Sequence, residues 1–118
     1  MSEVAWKLAD VAEWEAARAS GAYAGSALDL ADGFIHLSTG AQLAETARKH
    51  YAGRRDLVLV EVALADLGDT LKFEPSRGGD LFPHIYGALP FSAVRGERRL
   101  HVDEAGVMQF DDGATGWG

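Results

Sequence analysis

The chain has 118 residues, 47% of them hydrophobic and 25% charged, with a net charge of −7 at neutral pH and no cysteine. That length supports one domain around one core, and the missing thiols exclude disulfides, thiolate metal sites and a cysteine nucleophile. The acidic balance disfavours nonspecific nucleic-acid binding, which draws on clustered Lys and Arg, and Lys and Arg never run longer than an adjacent pair, as at Arg54-Arg55 and Arg98-Arg99.

No apolar run approaches the length of a membrane span, and Met-Ser-Glu-Val at the start lacks the basic and apolar regions of a signal peptide. The expected location is therefore the cytoplasm, with no membrane partner.

In chain order, Val4 to Leu8 alternates loosely as a first strand. Asp10 with Glu13 three residues on has capping spacing, and a helix follows through Ala19 with Val11, Trp14 and Arg18 at helical intervals and Gly21 as its stop. Ala22 to Leu30 has small residues and no steady period, which predicts an irregular loop lying over the core.

Asp32-Gly33-Phe34-Ile35-His36-Leu37-Ser38-Thr39 comes next. Strand alternation puts Phe34, His36 and Ser38 on one face and Ile35 and Leu37 on the other. Thr39 and Gln42 have the spacing of a capping box, and Gln42 to Tyr51 is amphipathic, with Leu43, Ala44, Ala47 and Tyr51 on one side and Gly53 as its stop. His36 thus falls where a strand hands over to a helix, a position that often carries function because helix N-termini favour anions.

After a turn at Arg54-Arg55-Asp56, the near-continuous apolar run Leu57 to Leu64 predicts a central strand covered on both faces, with Glu61 at a partly open position. Thr70 to Glu74 alternates as a further strand. Pro75 to Asp80, including Arg77, carries two glycines and a proline and reads as a flexible lid. If Phe82 to Tyr86 is extended, His84 and Tyr86 point one way and Ile85 points into the core. Val94 to Val102 contains a strand over its last four residues, and Asp103 to Gly106 turns it into a hairpin with Val107 to Phe110. The expected organisation is one α+β domain over residues 1–110, with small packed β-sheets flanked by two helices, and a frayed tail over 111–118.

Four polar features are candidates for one site: His36 with Ser38, Glu74, the Arg77 loop, and His84 with Tyr86. Together they would line a pocket with two imidazoles, a phenol, a hydroxyl and a carboxylate, groups that suit a small-molecule site. Each also has a plain structural reading. Ser38 or Thr39 serves as a helix cap, His36 as a half-buried histidine bonded to backbone, His84 as a turn brace and Tyr86 as core. His50 and His101 are expected in surface or packing roles. His36, His84 and Glu74 would make a two-histidine, one-carboxylate metal set, yet the short ligand spacings of zinc sites are missing. Serine-elbow, Walker and dinucleotide glycine patterns are missing as well.

Tyr23, the Asp32 to Thr39 stretch, the helix at Gln42, Asp56-Leu57-Val58-Leu59, Phe73-Glu74 and Phe82-Pro83-His84-Ile85-Tyr86-Gly87 together resemble the bacterial domain-of-unknown-function family 952. The resemblance covers residues 4 to 100 or so, and the family has no established activity. It implies a fold similar to the ADP-ribosyltransferases, a split pair of small sheets whose cleft holds NAD. On that resemblance His36 would bond the adenosine ribose, Ser38 the nicotinamide amide, and Tyr86 or His84 would stack on or orient the nicotinamide ring. Glu74 would stabilise the positive charge that develops as the glycosidic bond breaks.

The leading expectation is therefore binding of NAD or a related nucleotide, with transfer or hydrolysis of ADP-ribose. In that reading His36 and Glu74 are catalytic, and Ser38, Arg77, His84 and Tyr86 bind the ligand. The alternative is a non-catalytic module that recognises a small ligand or a protein through the same cleft, and a metal-dependent hydrolase comes third. The expected partner is a nucleotide-like small molecule rather than nucleic acid, and the expected assembly a monomer or weak dimer.

Overall fold

A computed structural model describes residues 3–76 and 79–113. Its main sheet is antiparallel in the order β1 (Val4–Asp10), β4 (Leu57–Ala63), β8 (Val94–Val102) and β9 (Met108–Phe110). A second sheet orders β3 (Ile35–His36), β6 (Leu81–Ile85) and β5 (Leu71–Pro75), and β2 (Ala22–Tyr23) pairs with β7 (Leu89–Pro90). Three α-helices accompany them: α1 (Val11–Arg18), α2 (Ala27–Asp32) and α3 (Gly40–His50).

β4 lies inside the main sheet and is covered on both faces, as its apolar run requires. Val58, Val60 and Val62 pack with Ala5, Trp14, Ile35, Leu37 and Ile85 on one side, while Leu57 and Leu59 pack with Trp6, Leu43, Leu100 and Phe110 on the other. Side chains alternate across a strand, so one β4 serves two hydrophobic layers, one of them closed by α3. At Glu61 the pairing with β8 shifts register, and the carboxylate is half-buried at that irregularity.

Capping holds as read: the Asp10 carboxylate accepts the Glu13 N–H at 3.1 Å and starts α1. The Gln42 side-chain oxygen accepts the Thr39 N–H at 3.0 Å at the start of α3, which begins two residues before Gln42.

Among the described residues the expectation of two helices is corrected to three. Ala22 to Leu30 is not an irregular loop but β2 followed by the start of α2. Ser26 Oγ accepts the Asp29 N–H at 3.1 Å while Asp29 Oδ2 accepts the Ser26 N–H at 2.9 Å, and Gly33 ends the helix at φ +86°. Six residues are too few to display a helical period or to stand as an isolated helix in water. Tertiary contacts through Asp29 stabilise it instead.

The tail begins tied down, with Asp111 N–H donating to the Arg99 carbonyl at 3.0 Å and Gly113 N–H to the Phe110 carbonyl at 3.0 Å. Residues 114–118 lie outside the described residues, as do Arg77 and Gly78 of the predicted lid.

One contact between sheets positions the site. β1 is the edge of the main sheet, and at Trp6 it exchanges two backbone hydrogen bonds of 2.8 Å with Ser38, just beyond β3. From there towards Asp10 the outer edge of β1 has no strand beside it among the described residues. α2 and α3 flank that gap.

Candidate functional site

The gap is a cleft of about 700 Å³. Trp6, Lys7 and Leu8 of β1 form its floor, α2 contributes Asp29 and Asp32, and α3 contributes Leu43, Thr46, Lys49 and His50. Tyr51 and Arg54 follow from the turn after α3, and His36, Ser38, Phe82 and His84 come from the second sheet. The volume falls within the range of small-molecule sites.

His36 and His84 are opposite one another in the β3–β6 pairing, and their ring centroids are 5.5 Å apart. The alternation that puts Ile35 and Ile85 in the core turns both imidazoles to the other face, where Lys72 and Glu74 of β5 also lie by register. Phe34 joins them, stacked on His84 at 4.1 Å and tilted against His36 at 4.6 Å and Tyr86 at 5.3 Å.

Each histidine has a carboxylate on Nδ1, but their surroundings differ. His36 Nδ1 is 2.6 Å from Asp29 Oδ1, and its Nε2 is 3.0 Å from Asp32 Oδ2. His84 Nδ1 is 2.8 Å from Glu74 Oε1, which also accepts the Tyr86 hydroxyl at 2.7 Å. These two donors outweigh desolvation and hold the Glu74 carboxyl below the usual glutamate range, while bonding to Glu74 raises the Tyr86 phenol.

Asp29 is the centre of the other group. Burial by itself would push its carboxyl up, yet the His36 bond and the Lys7 charge prevail and hold it well below the usual range. Lys7 Nζ approaches Asp29 Oδ2 at 2.8 Å with both side chains almost wholly buried, and the His36 backbone N–H donates to Oδ1 at 3.1 Å. Burial pulls the Lys7 ammonium down, and Asp29 opposes that pull. One carboxylate therefore fixes α2, the start of β3 and the cleft floor together.

Of the residues expected at the site, His36, Ser38 and His84 line the cleft. Ser38 is buried and its hydroxyl meets Thr46 Oγ1 at 2.9 Å, so it bridges to α3, while capping falls to Thr39. Glu74 and Tyr86 adjoin the cluster through His84 without lining the cleft. Arg77 lies outside the described residues. His50, expected in a surface or packing role, faces the cleft. Among the described residues no three His, Asp or Glu side chains are grouped to hold a metal ion, so His36, His84 and Glu74 do not form the metal set.

Sequence reasoning missed Lys7, Asp29, Asp32, Lys49 and Arg54. Two signals were present: a lysine inside an apolar strand, and a Ser26-x-x-Asp29 box seven residues before Gly33.

Fold and site define a small α+β domain in which two histidine-bearing strands and two helices enclose one cleft. The chain belongs to the family described as Protein of unknown function (DUF952), which matches residues 8–96. The crystal structure of CC0527 from Caulobacter crescentus is 51% identical, with a TM-score of 0.85 over 90% of this chain and 93% of that one. The solution structure of CC0527 is 47% identical, with a TM-score of 0.75 over 95% and 90% of the two chains. No curated protein matches the chain. Among the described residues no helix is long and apolar enough to cross a membrane.

Proposed function

We propose that the cleft binds a small nucleotide-like ligand, with NAD as the first candidate, and that ADP-ribose is transferred or hydrolysed from it there. The observation that carries this reading is the convergence of His36 and His84, 48 positions apart in sequence, on one wall of a cleft of about 700 Å³.

Charge and shape support it. Trp6, Leu8, Tyr51 and Phe82 offer apolar surface for a base or a pyridine ring, and Lys49 and Arg54 offer cations to phosphates. Arg54 lies over the Tyr51 ring at 5.1 Å and pairs with no carboxylate among the described residues. Asp32 places an exposed carboxylate on the α2 side, where a pyridinium is favoured and a ribose hydroxyl finds an acceptor. The split arrangement of two sheets joined at Trp6 and Ser38 is compatible with an ADP-ribosyltransferase-like cleft. In that reading His36 and Ser38 form the cleft wall against which the ligand lies, Tyr86 flanks the nicotinamide end, and Glu74 supplies a fixed negative charge behind His84.

The non-catalytic alternative draws on a different observation. Glu74 stands outside the cleft lining, and the Ser38 hydroxyl is already engaged by Thr46. A pocket that recognises a nucleotide without cleaving it fits that geometry too.

Thermal unfolding with added NAD, ADP-ribose or AMP tests binding, because a ligand bound only to the folded state raises Tm by mass action. Chromatographic detection of free nicotinamide tests turnover. A rise in Tm with nicotinamide release supports the enzyme, and a rise without release supports the binding module. No rise with any of the three nucleotides refutes both.

A further inference from the structure

The two histidines are not equivalent, and the difference assigns the proton chemistry. Both ring nitrogens of His36 face carboxylate oxygens, so neither has a lone pair aimed at a ligand. His84 gives only Nδ1 to Glu74, and its Nε2 pairs with nothing among the described residues. The Tyr23 hydroxyl is the one buried, unpaired side-chain polar atom there, so His84 Nε2 is not sealed from solvent although its ring is almost buried. His84 is itself one of the residues that line the cleft.

We propose that His84 is the proton-transfer residue of this cleft, acting through Nε2, and that Glu74 is its positioning residue. The assignment rests on the nucleotide reading given above. A carboxylate on Nδ1–H fixes the tautomer that leaves Nε2 basic and stabilises the imidazolium that forms when Nε2 takes a proton. Tyr86 holds the other side of that arrangement by donating to the same Glu74 oxygen, and Phe34 stacks on the ring and restricts its rotation.

The step is a simple exchange of bonds. An O–H of water, or of an acceptor hydroxyl, breaks as the Nε2–H bond forms, and the freed oxygen pair attacks the anomeric carbon of the ribose. The bond from that carbon to the pyridinium nitrogen breaks, and its electron pair leaves with neutral nicotinamide. The leaving group needs no proton, so His84 releases the one it took to solvent. A single general base is therefore sufficient, and general-base catalysis contributes roughly 10²–10⁴-fold in rate.

Long-range proton–nitrogen correlation NMR on the wild-type protein, at alkaline pH where imidazoles are neutral, reads the tautomer directly. His84 is expected with Nδ1 protonated and Nε2 bare, and Glu74→Gln is expected to move it towards the Nε2–H form. A protonated Nε2 in the wild type overturns the assignment whatever the ligand. His84→Asn is expected to keep the NAD-induced rise in Tm and to lose nicotinamide release by about 100-fold or more. Release at the wild-type rate from that variant, or wild-type NAD binding with no release, overturns proton transfer while leaving binding intact. Absence of any NAD-induced rise in the wild type removes the nucleotide reading and this assignment with it.

Discussion

Asp29→Asn is the perturbation that asks most of this structure. Lys7 and Asp29 are 4% and 1% exposed at the side chain and 2.8 Å apart, and the same carboxylate accepts from Ser26 N–H and from both nitrogens that His36 presents to it. An amide of the same shape leaves the Lys7 ammonium buried without a counter-charge and turns an NH₂ towards groups that are themselves donors. Removing one partner of a buried pair costs about 3–5 kcal/mol. At about 3–5 °C per kcal/mol for a domain of this size, Tm should fall by roughly 10–25 °C.

Urea unfolding followed by circular dichroism gives the free energy, and Lys7→Met combined with Asp29→Asn is the control, because without the ammonium no buried charge is left uncompensated and part of the loss is recovered. The acid limb adds a second readout. The Asp29 carboxyl sits lower in the folded protein than in the unfolded chain, so its stabilisation is complete above the ordinary aspartate value near 4 and fades as pH falls below it. Asp29→Asn should flatten that part of the stability curve. A cost under about 1 kcal/mol with an unchanged acid limb would refute the claim that this ion pair organises the cleft.

Other expectations follow from the same geometry. Gly25→Ala puts a Cβ 2.7 Å from Asp29 Cβ at φ +114°, so it should destabilise by about 2 kcal/mol or more and disturb the His36 resonances, which NMR would show. Tyr23→Phe removes a buried hydroxyl without a partner, and denaturant unfolding should find it neutral or stabilising by about 1 kcal/mol. Arg54→Ala should weaken nucleotide binding about tenfold by calorimetry and reduce its salt dependence, with the fold retained. Equal affinity for the nucleoside and the nucleotide would show that no phosphate is recognised there.

Much of the candidate site was legible because its two strands are amphipathic at period two. Ile35 and Leu37 in the core turn His36 outwards, and Ile85 does the same for His84, before any long-range contact is known. The Asp10 and Thr39 caps were readable for a similar reason, since each satisfies helix donors within three residues. α2 was not legible, because six residues carry too little period and its stability comes from Lys7, 22 positions away from Asp29. The basic side of the cleft was hidden too, because Lys49 and Arg54 belong to a helix end and a turn whose direction depends on how α3 packs on β1 and β4.

The sequence by itself determined the local rules: which side chains of each strand face the core, which residues cap α1 and α3, and that β4 lies between two apolar layers. Only the tertiary structure decided which carboxylate each histidine meets, Asp29 with Asp32 for one and Glu74 for the other, and hence which imidazole keeps a nitrogen unpaired among the described residues. The physical reason is range. Alternation and capping act over a few covalent bonds, whereas the pairing of β1 with Ser38 and of β6 with β3 and β5 brings together charges that no local pattern relates.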